Sequence, residues 1–415
     1  MNYEEKFTNA IKNSFYDKLN QANQNFIKQL SFTKQLSLQE IREYITIARD
    51  LELWDEGDLA DIYVEHQKKK EALKRTKQAY ENLRNKPNSY KDFSLHIPPQ
   101  EQKFRFQTTK KEGFGLGLCP VASEKTRCCN LLTLDAVESC GFDCSYCSIQ
   151  SFYNQNTITF DSDFANKLNN LQLDPNKTYH IGTGQSSDSL MWGNREGVLD
   201  ALFSFAKRYP NVILEFKTKS DNISYLLEND VPKNIICTWS LNTPTIIKNE
   251  EHLTAPLQKR LEAARKVADK GVKVGFHFHP IVEYENYLKE YKEVYDTLLE
   301  MFSPEEVVLV SFGTLTFIKP VIKQLRNRNF TTKITQMPFD EIAGKHSYPH
   351  QTKVEMFSHA YQSFAPWHKK VFFYMCMEEH SLWKECFGYE YFSNNDFERD
   401  MLYNYAKKLQ MDYLA

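Results

Sequence analysis

The stretch Cys140-Gly141-Phe142-Asp143-Cys144-Ser145-Tyr146-Cys147 puts three thiols on one short loop, separated by three residues and then two. It follows directly on 131–137, a run rich in leucine and valine that reads as a strand. Three thiolates can hold three irons of a cubane and leave the fourth iron without a protein ligand. A zinc site would call for a fourth Cys or His at regular spacing, and none is near. An open iron needs a substrate or cofactor to complete its coordination.

Beyond the loop, short apolar runs at 178–182, 212–218, 235–241, 272–278 and 307–312 alternate with helical segments such as 257–270 and 284–302. Repeated βα units imply a parallel sheet with right-handed crossovers. Six units over 113–330 fit a partial (β/α)6 barrel, and the pattern also fits a doubly wound sheet. In a barrel, the end of the first strand, where the cysteines sit, is where active sites are built.

Residues 1–112 read as a helical N-terminal extension. Ser37 and Glu40 form a capping-box pattern, followed by Ile41, Tyr44, Ile45 and Ala48 at helical spacing. A further helical stretch covers 59–83, and Pro87, Pro98 and Pro99 mark an irregular connection. Between 68 and 111 stand thirteen basic residues against four acidic ones. Such a run is a solvated helix face or a surface for a phosphate backbone. Residues 331–415 read as a small α+β C-terminal region, with helices around a strand at 370–377.

The 415 residues are 41% hydrophobic and 14% aromatic, enough for a large packed core. A net charge of −2 excludes a general polycation, so any nucleic-acid footprint is local. No apolar run approaches the roughly 20 residues that span a bilayer. The N-terminus lacks the basic and apolar regions of an export signal. The expectation is a cytoplasmic protein without membrane contact, its nine cysteines kept reduced.

The cysteine loop resembles the CxxxCxΦC signature of the radical SAM superfamily, with Tyr146 as the aromatic position. That resemblance implies a partial (β/α) barrel, a [4Fe-4S] cluster on Cys140, Cys144 and Cys147, and S-adenosylmethionine (SAM) chelating the open iron. It also implies a reductant such as flavodoxin or ferredoxin and formation of a 5′-deoxyadenosyl radical.

More narrowly, Cys140–Gln150, Gln185–Asp188, Thr218-Lys219, Ser240-Leu241-Asn242, Ala255–Arg260 and Pro280-Ile281 resemble the spore photoproduct lyase family. Its members act on a thymine dimer in DNA. The resemblance implies that Tyr146 lies against SAM and that Ser187, Lys219, Ser240 and Asn242 contact its polar groups. Gly182-Thr183-Gly184-Gln185 is similar to the superfamily's GGE element, so Gln185 would accept from the SAM ammonium through its amide oxygen.

Two positions depart from the lyase pattern. The family's hydrogen-donating cysteine aligns with Gln185, and its assisting tyrosine with Ser148. Cys119, Cys128 and Cys129 are candidates for that missing donor or for a second metal, against the plainer reading of spare thiols. Cys376 and Cys386 also read as spare thiols, and Cys237 as core. His277 and His279 share a strand face, which makes His279 a candidate for acid–base work. Gly113-Phe114-Gly115-Leu116-Gly117 lacks the context of a phosphate loop. The functional expectation is a lyase-like radical SAM enzyme acting on a DNA base lesion. Radical modification of RNA or a peptide, and a non-catalytic iron–sulfur sensor, are the alternatives.

Overall fold

The apolar runs pair into one sheet. In the computed structural model, which describes residues 2–97, 104–113, 116–118, 126–148, 156–342 and 344–414, that sheet has eight strands. They are β1 (Leu116–Leu118), β2 (Leu132–Leu134), β3 (Tyr179–Thr183), β4 (Val212–Thr218), β5 (Ile235–Ser240), β6 (Lys273–Ile281), β7 (Val307–Thr314) and β8 (Phe372–Met375). Their order is β8-β7-β6-β5-β4-β3-β2-β1, so chain neighbours are sheet neighbours throughout. Strands β2 to β8 pair in parallel, and β1 pairs antiparallel to β2. A doubly wound sheet reverses its order at a switch point. This one does not, and β1 and β8 stand at opposite edges, so the arrangement is an open (β/α) barrel.

Helices Val198–Arg208, Leu257–Asp269 and Tyr287–Met301 fill crossovers, as parallel pairing requires. Val198–Arg208 buries Leu199, Leu202, Phe203, Phe205 and Ala206, the stripe an amphipathic helix turns to a sheet. The strand expected at 370–377 is β8, which joins the barrel sheet beside β7. Periodicity identifies a strand but not its partner.

The chain forms two compact units. One comprises Met1–Glu101, Glu283–Glu285 and Phe317–Asp340; the other comprises Gln102–Val282, Asn286–Thr316 and Glu341–Ala415 and holds the barrel sheet. In the first, Ser37 Oγ accepts the Glu40 N–H at 3.2 Å and the Glu40 carboxylate accepts the Ser37 N–H at 2.6 Å, starting helix Leu38–Trp54. Buried Asp50 in that helix takes Arg326 in a two-pronged pair at 2.7 Å and the Tyr80 hydroxyl at 2.7 Å. Part of the basic run is neutralised locally: Lys77 pairs with Glu43, Arg75 with Glu71 and Lys69 with Glu40. Lys68, Lys70 and Lys74 remain exposed. No helix among the described residues is long and apolar enough to cross a membrane.

Candidate active site

The cysteine loop leaves β2 and is pinned at several points. Asp143–Cys144 pairs antiparallel with Glu251–His252. The Ser145 N–H donates to the Glu250 carbonyl at 2.8 Å, and its hydroxyl bonds the Glu250 carboxylate. Glu251 receives the Tyr146 hydroxyl on one oxygen and the Arg260 guanidinium at 2.6 Å on the other. Arg260 is fully buried, and it also donates to the carbonyls of Ala255 at 2.7 Å and Ser240 at 2.8 Å. A buried ion pair whose guanidinium is also tied to two carbonyls holds geometry well. Gly141 has no space for a side chain, since a Cβ there would lie 2.4 Å from Met191 and 2.7 Å from Trp192.

The three thiols sit within reach of one another's charge. Burial first, then Asp188, Cys147 and Cys144, push the Cys140 thiol well up. Burial also raises Cys144, while Lys219 pulls it down. Burial alone would lower the Lys219 ammonium, but Cys144 and Glu251 hold it raised. Its Nζ stands 5.8 Å from the centre of the Tyr146 ring. Among the described residues no three Cys, His, Asp or Glu side chains converge as one metal ion requires. Thiolates on a cubane each bind a separate iron and stand wider apart.

Beside this loop opens a cavity of about 310 Å³, lined by Tyr146, Cys147, Gln185, Lys219 and His279 among others. That size suits a small-molecule site. Ser148 and Lys217 line it too. Of the residues expected from sequence, Tyr146, Gln185, Lys219 and His279 therefore meet Cys147 around one space.

The others are not among the residues that line it. Gly182, in β3, lies against Leu131, which a Cβ would approach to 3.2 Å. Gly184 turns the chain at φ +77°, where a Cβ would meet Ser189 at 2.6 Å. The Ser187 hydroxyl accepts from the Trp192 indole at 3.2 Å. The Ser240 carbonyl takes Arg260. The Asn242 amide donates to the Pro280 carbonyl at 3.0 Å, and its oxygen accepts the Tyr291 hydroxyl at 2.5 Å. Asp188 holds the β3 loop to the end of β4, accepting from the N–H groups of Leu190, Met191 and Lys219 and from the Thr218 hydroxyl.

Sequence reasoning missed Asp188, Glu251, Arg260 and Glu215 as organisers. Glu215 is fully buried in β4 and accepts from His180, His277 and Thr238. The signal was a carboxylate inside the apolar run Val212–Thr218, in step with Lys217 and Lys219 on one strand face.

Cys128, Cys129 and Cys376 also line the cavity. A hydrogen bond from Cys129 brings the Cys128 thiol down to about 6. Cys237 is buried in β5 and Cys386 in a C-terminal helix, away from that wall. Cys119 and part of the Gly113–Gly117 run lie outside the described residues.

A protein-family model described as "Spore photoproduct lyase" matches residues 132–358. The spore photoproduct lyase of Clostridium acetobutylicum is 27% identical over 225 residues, 52% of this chain and 64% of that protein. That of Bacillus subtilis is 31% identical over 131 residues, 31% of this chain and 37% of that protein. The chain thus matches less than two thirds of the length of these relatives. A mutant spore photoproduct lyase solved with bound AdoMet and dinucleoside spore photoproduct superposes with a TM-score of 0.53 at 20% identity, over 65% of this chain and 81% of that one. A second lyase mutant gives 0.54 at 18% identity, with the same coverage. At these identities the structural likeness is one of fold.

Proposed function

This chain belongs to the spore photoproduct lyase family, and from that membership we propose that it is a radical SAM enzyme acting on a nucleic-acid base. The observation that carries the proposal is the meeting of the three-cysteine loop with Lys219, Tyr146 and Gln185 at one cavity. Cys140, Cys144 and Cys147 would hold a [4Fe-4S] cluster, and the buried, mutually repelling thiols fit a cationic iron core. Such a cluster with SAM supplies, once reduced, a 5′-deoxyadenosyl radical.

The residues of this chain bind and orient. Lys219 offers a charge to a carboxylate, Gln185 an amide oxygen to an ammonium, and Tyr146 a ring held by Glu251. Gly182, Gly184, Ser187, Ser240 and Asn242 support this wall by fixing the strand ends behind it. Arg127, Lys217 and Lys219 give the cavity a positive side that suits a phosphate-bearing substrate. Cys128, Cys129 and Cys376 line the cavity, which supports one of them as the thiol that returns a hydrogen atom where the family's cysteine is replaced by Gln185. A flavodoxin or ferredoxin supplies the electron in a cytoplasmic setting.

The test is anaerobic iron loading of the wild type and of Cys144→Ala, with the visible and electron-spin spectra recorded before and after SAM. The proposal requires a cluster whose spectrum SAM alters. A cluster blind to SAM would instead favour the iron–sulfur sensor. For the substrate, filter binding of DNA at rising salt is expected to show steep loss of affinity. Binding that ignores salt would turn attention to a peptide.

A further inference from the structure

Behind His279 a hydrogen-bonded chain runs inward across three strands. His279 Nε2 lies 3.0 Å from Ser311 Oγ, Ser311 Oγ lies 2.6 Å from His277 Nδ1, and His277 Nε2 lies 2.7 Å from Glu215 Oε1. His180 Nε2 meets the other Glu215 oxygen at 2.8 Å, and the Thr238 hydroxyl donates to Oε1 at 2.7 Å. Glu215, His277 and Ser311 are at most 1% exposed, whereas His279 reaches the cavity. Parallel pairing sets Ser311 of β7 opposite His277 of β6.

The direction of each bond follows from the carboxylate. An ionised Glu215 only accepts, so His277 and His180 carry their protons on Nε2. A neutral His277 then accepts at Nδ1 from the Ser311 hydroxyl. The Ser311 oxygen in turn accepts the Nε2–H of His279. The Cγ–Cδ2 edge of that ring lies over Gly313, where a Cβ would come within 3.2 Å of Cδ2. What remains for the cavity is the edge bearing Nδ1, a bare lone pair. Charges support this assignment: burial, together with the Lys217 and Lys219 ammoniums, keeps His279 well below the ordinary histidine range. Burial would raise Glu215, but Lys217, His180 and His277 hold it well below the usual carboxylate range.

We propose that His279 is a general base toward a substrate bound in this cavity, and that Ser311, His277 and Glu215 form the relay that absorbs the proton. The proposal rests on reading the cavity as the active site, and it adds the substrate class: one that releases an N–H or O–H proton as it reacts. The proton arrives at His279 Nδ1. Nε2 gives its own proton to Ser311 Oγ, Ser311 gives its hydroxyl proton to His277 Nδ1, and the resulting imidazolium faces the Glu215 carboxylate. One proton enters, the two hydrogen bonds at Ser311 reverse, and the bond from His277 Nε2 to Glu215 keeps its direction.

The test uses the full chain labelled with ¹⁵N-histidine, with His279 assigned from His279→Gln and long-range ¹H–¹⁵N spectra recorded through neutral pH. The expected wild-type His279 is neutral, with nearly all its proton on Nε2. Ser311→Ala should lower the Nε2–H fraction and make the tautomers mixed, and Ser311→Thr should restore it. A wild-type ring protonated on Nδ1, or a spectrum that Ser311→Ala leaves unmoved, overturns the relay. Neither cluster nor SAM takes part in the measurement, so a protein that fails to cleave SAM could still show the relay, and the reverse.

Discussion

Gly141 stands between Cys140 and Cys144 with Met191 and Trp192 where its Cβ would be. The end of Met191 can yield, but the Trp192 ring, packed edge-on against Phe104 and Phe106, cannot do so freely. Gly141→Ala is expected to displace Cys140 and to lower iron bound per chain at least several-fold, measured after anaerobic loading. Glu251 is a different kind of dependence. Removing it in Glu251→Ala leaves Arg260 buried without its counter-charge, a loss of about 3–5 kcal/mol, read by denaturant unfolding. Glu251→Gln should lose less, since the amide oxygen still accepts one donor. The three cysteines were legible because their spacing is local. Arg260 and Glu251 were not, because Arg260 serving the Ser240 carbonyl and Glu251 the Tyr146 phenol leave no periodic trace in the chain.

Elements were legible where their contacts follow from their own pattern. The run 212–218 is a strand over the full length expected, since its apolar residues are buried on the sheet. The stretch 59–83 divides instead into helices Leu59–Ile62 and Lys69–Arg84. The break is tied by distant partners: the Val64 N–H donates to the Thr76 hydroxyl, and Lys34 donates to the His66 carbonyl. Helical spacing cannot register such anchors. Two stability predictions belong here. Ser37→Ala removes a cap and should cost about 1 kcal/mol in unfolding experiments. Arg265, in the helix Leu257–Asp269, donates to the Met301 carbonyl at 2.8 Å and pairs with Glu306 ahead of β7. The Arg265 hydrogen bond, more than any other influence, brings Glu306 down to about 2 from 4.5. A lowered carboxyl stabilises above its unfolded value and loses that contribution as pH falls through the folded one. The melting-temperature gap between wild type and Arg265→Met should be full above pH 4.5 and shrink as pH falls toward 2. A gap constant with pH would assign the stabilisation to the Met301 bond alone.

At the scale of the molecule, a barrel sheet in unbroken sequence order places five strand ends and the cysteine loop around one cavity. The βα alternation was visible in sequence, but a barrel and a doubly wound sheet share it; strand order separates them, and order is a long-range property. The cavity wall shows the same division. Lys217 and Lys219 follow from alternation along β4, whereas Cys128, Cys129 and Cys376 come together only because β8 docks beside β7. The three cysteines and this wall are proposed to cleave SAM reductively. The most direct measurement is 5′-deoxyadenosine formed by the anaerobically loaded, chemically reduced full chain, with Cys144→Ala alongside. The wild type is expected to form 5′-deoxyadenosine and Cys144→Ala at least a hundredfold less. No product from a fully loaded wild type, or equal product from both, would contradict it.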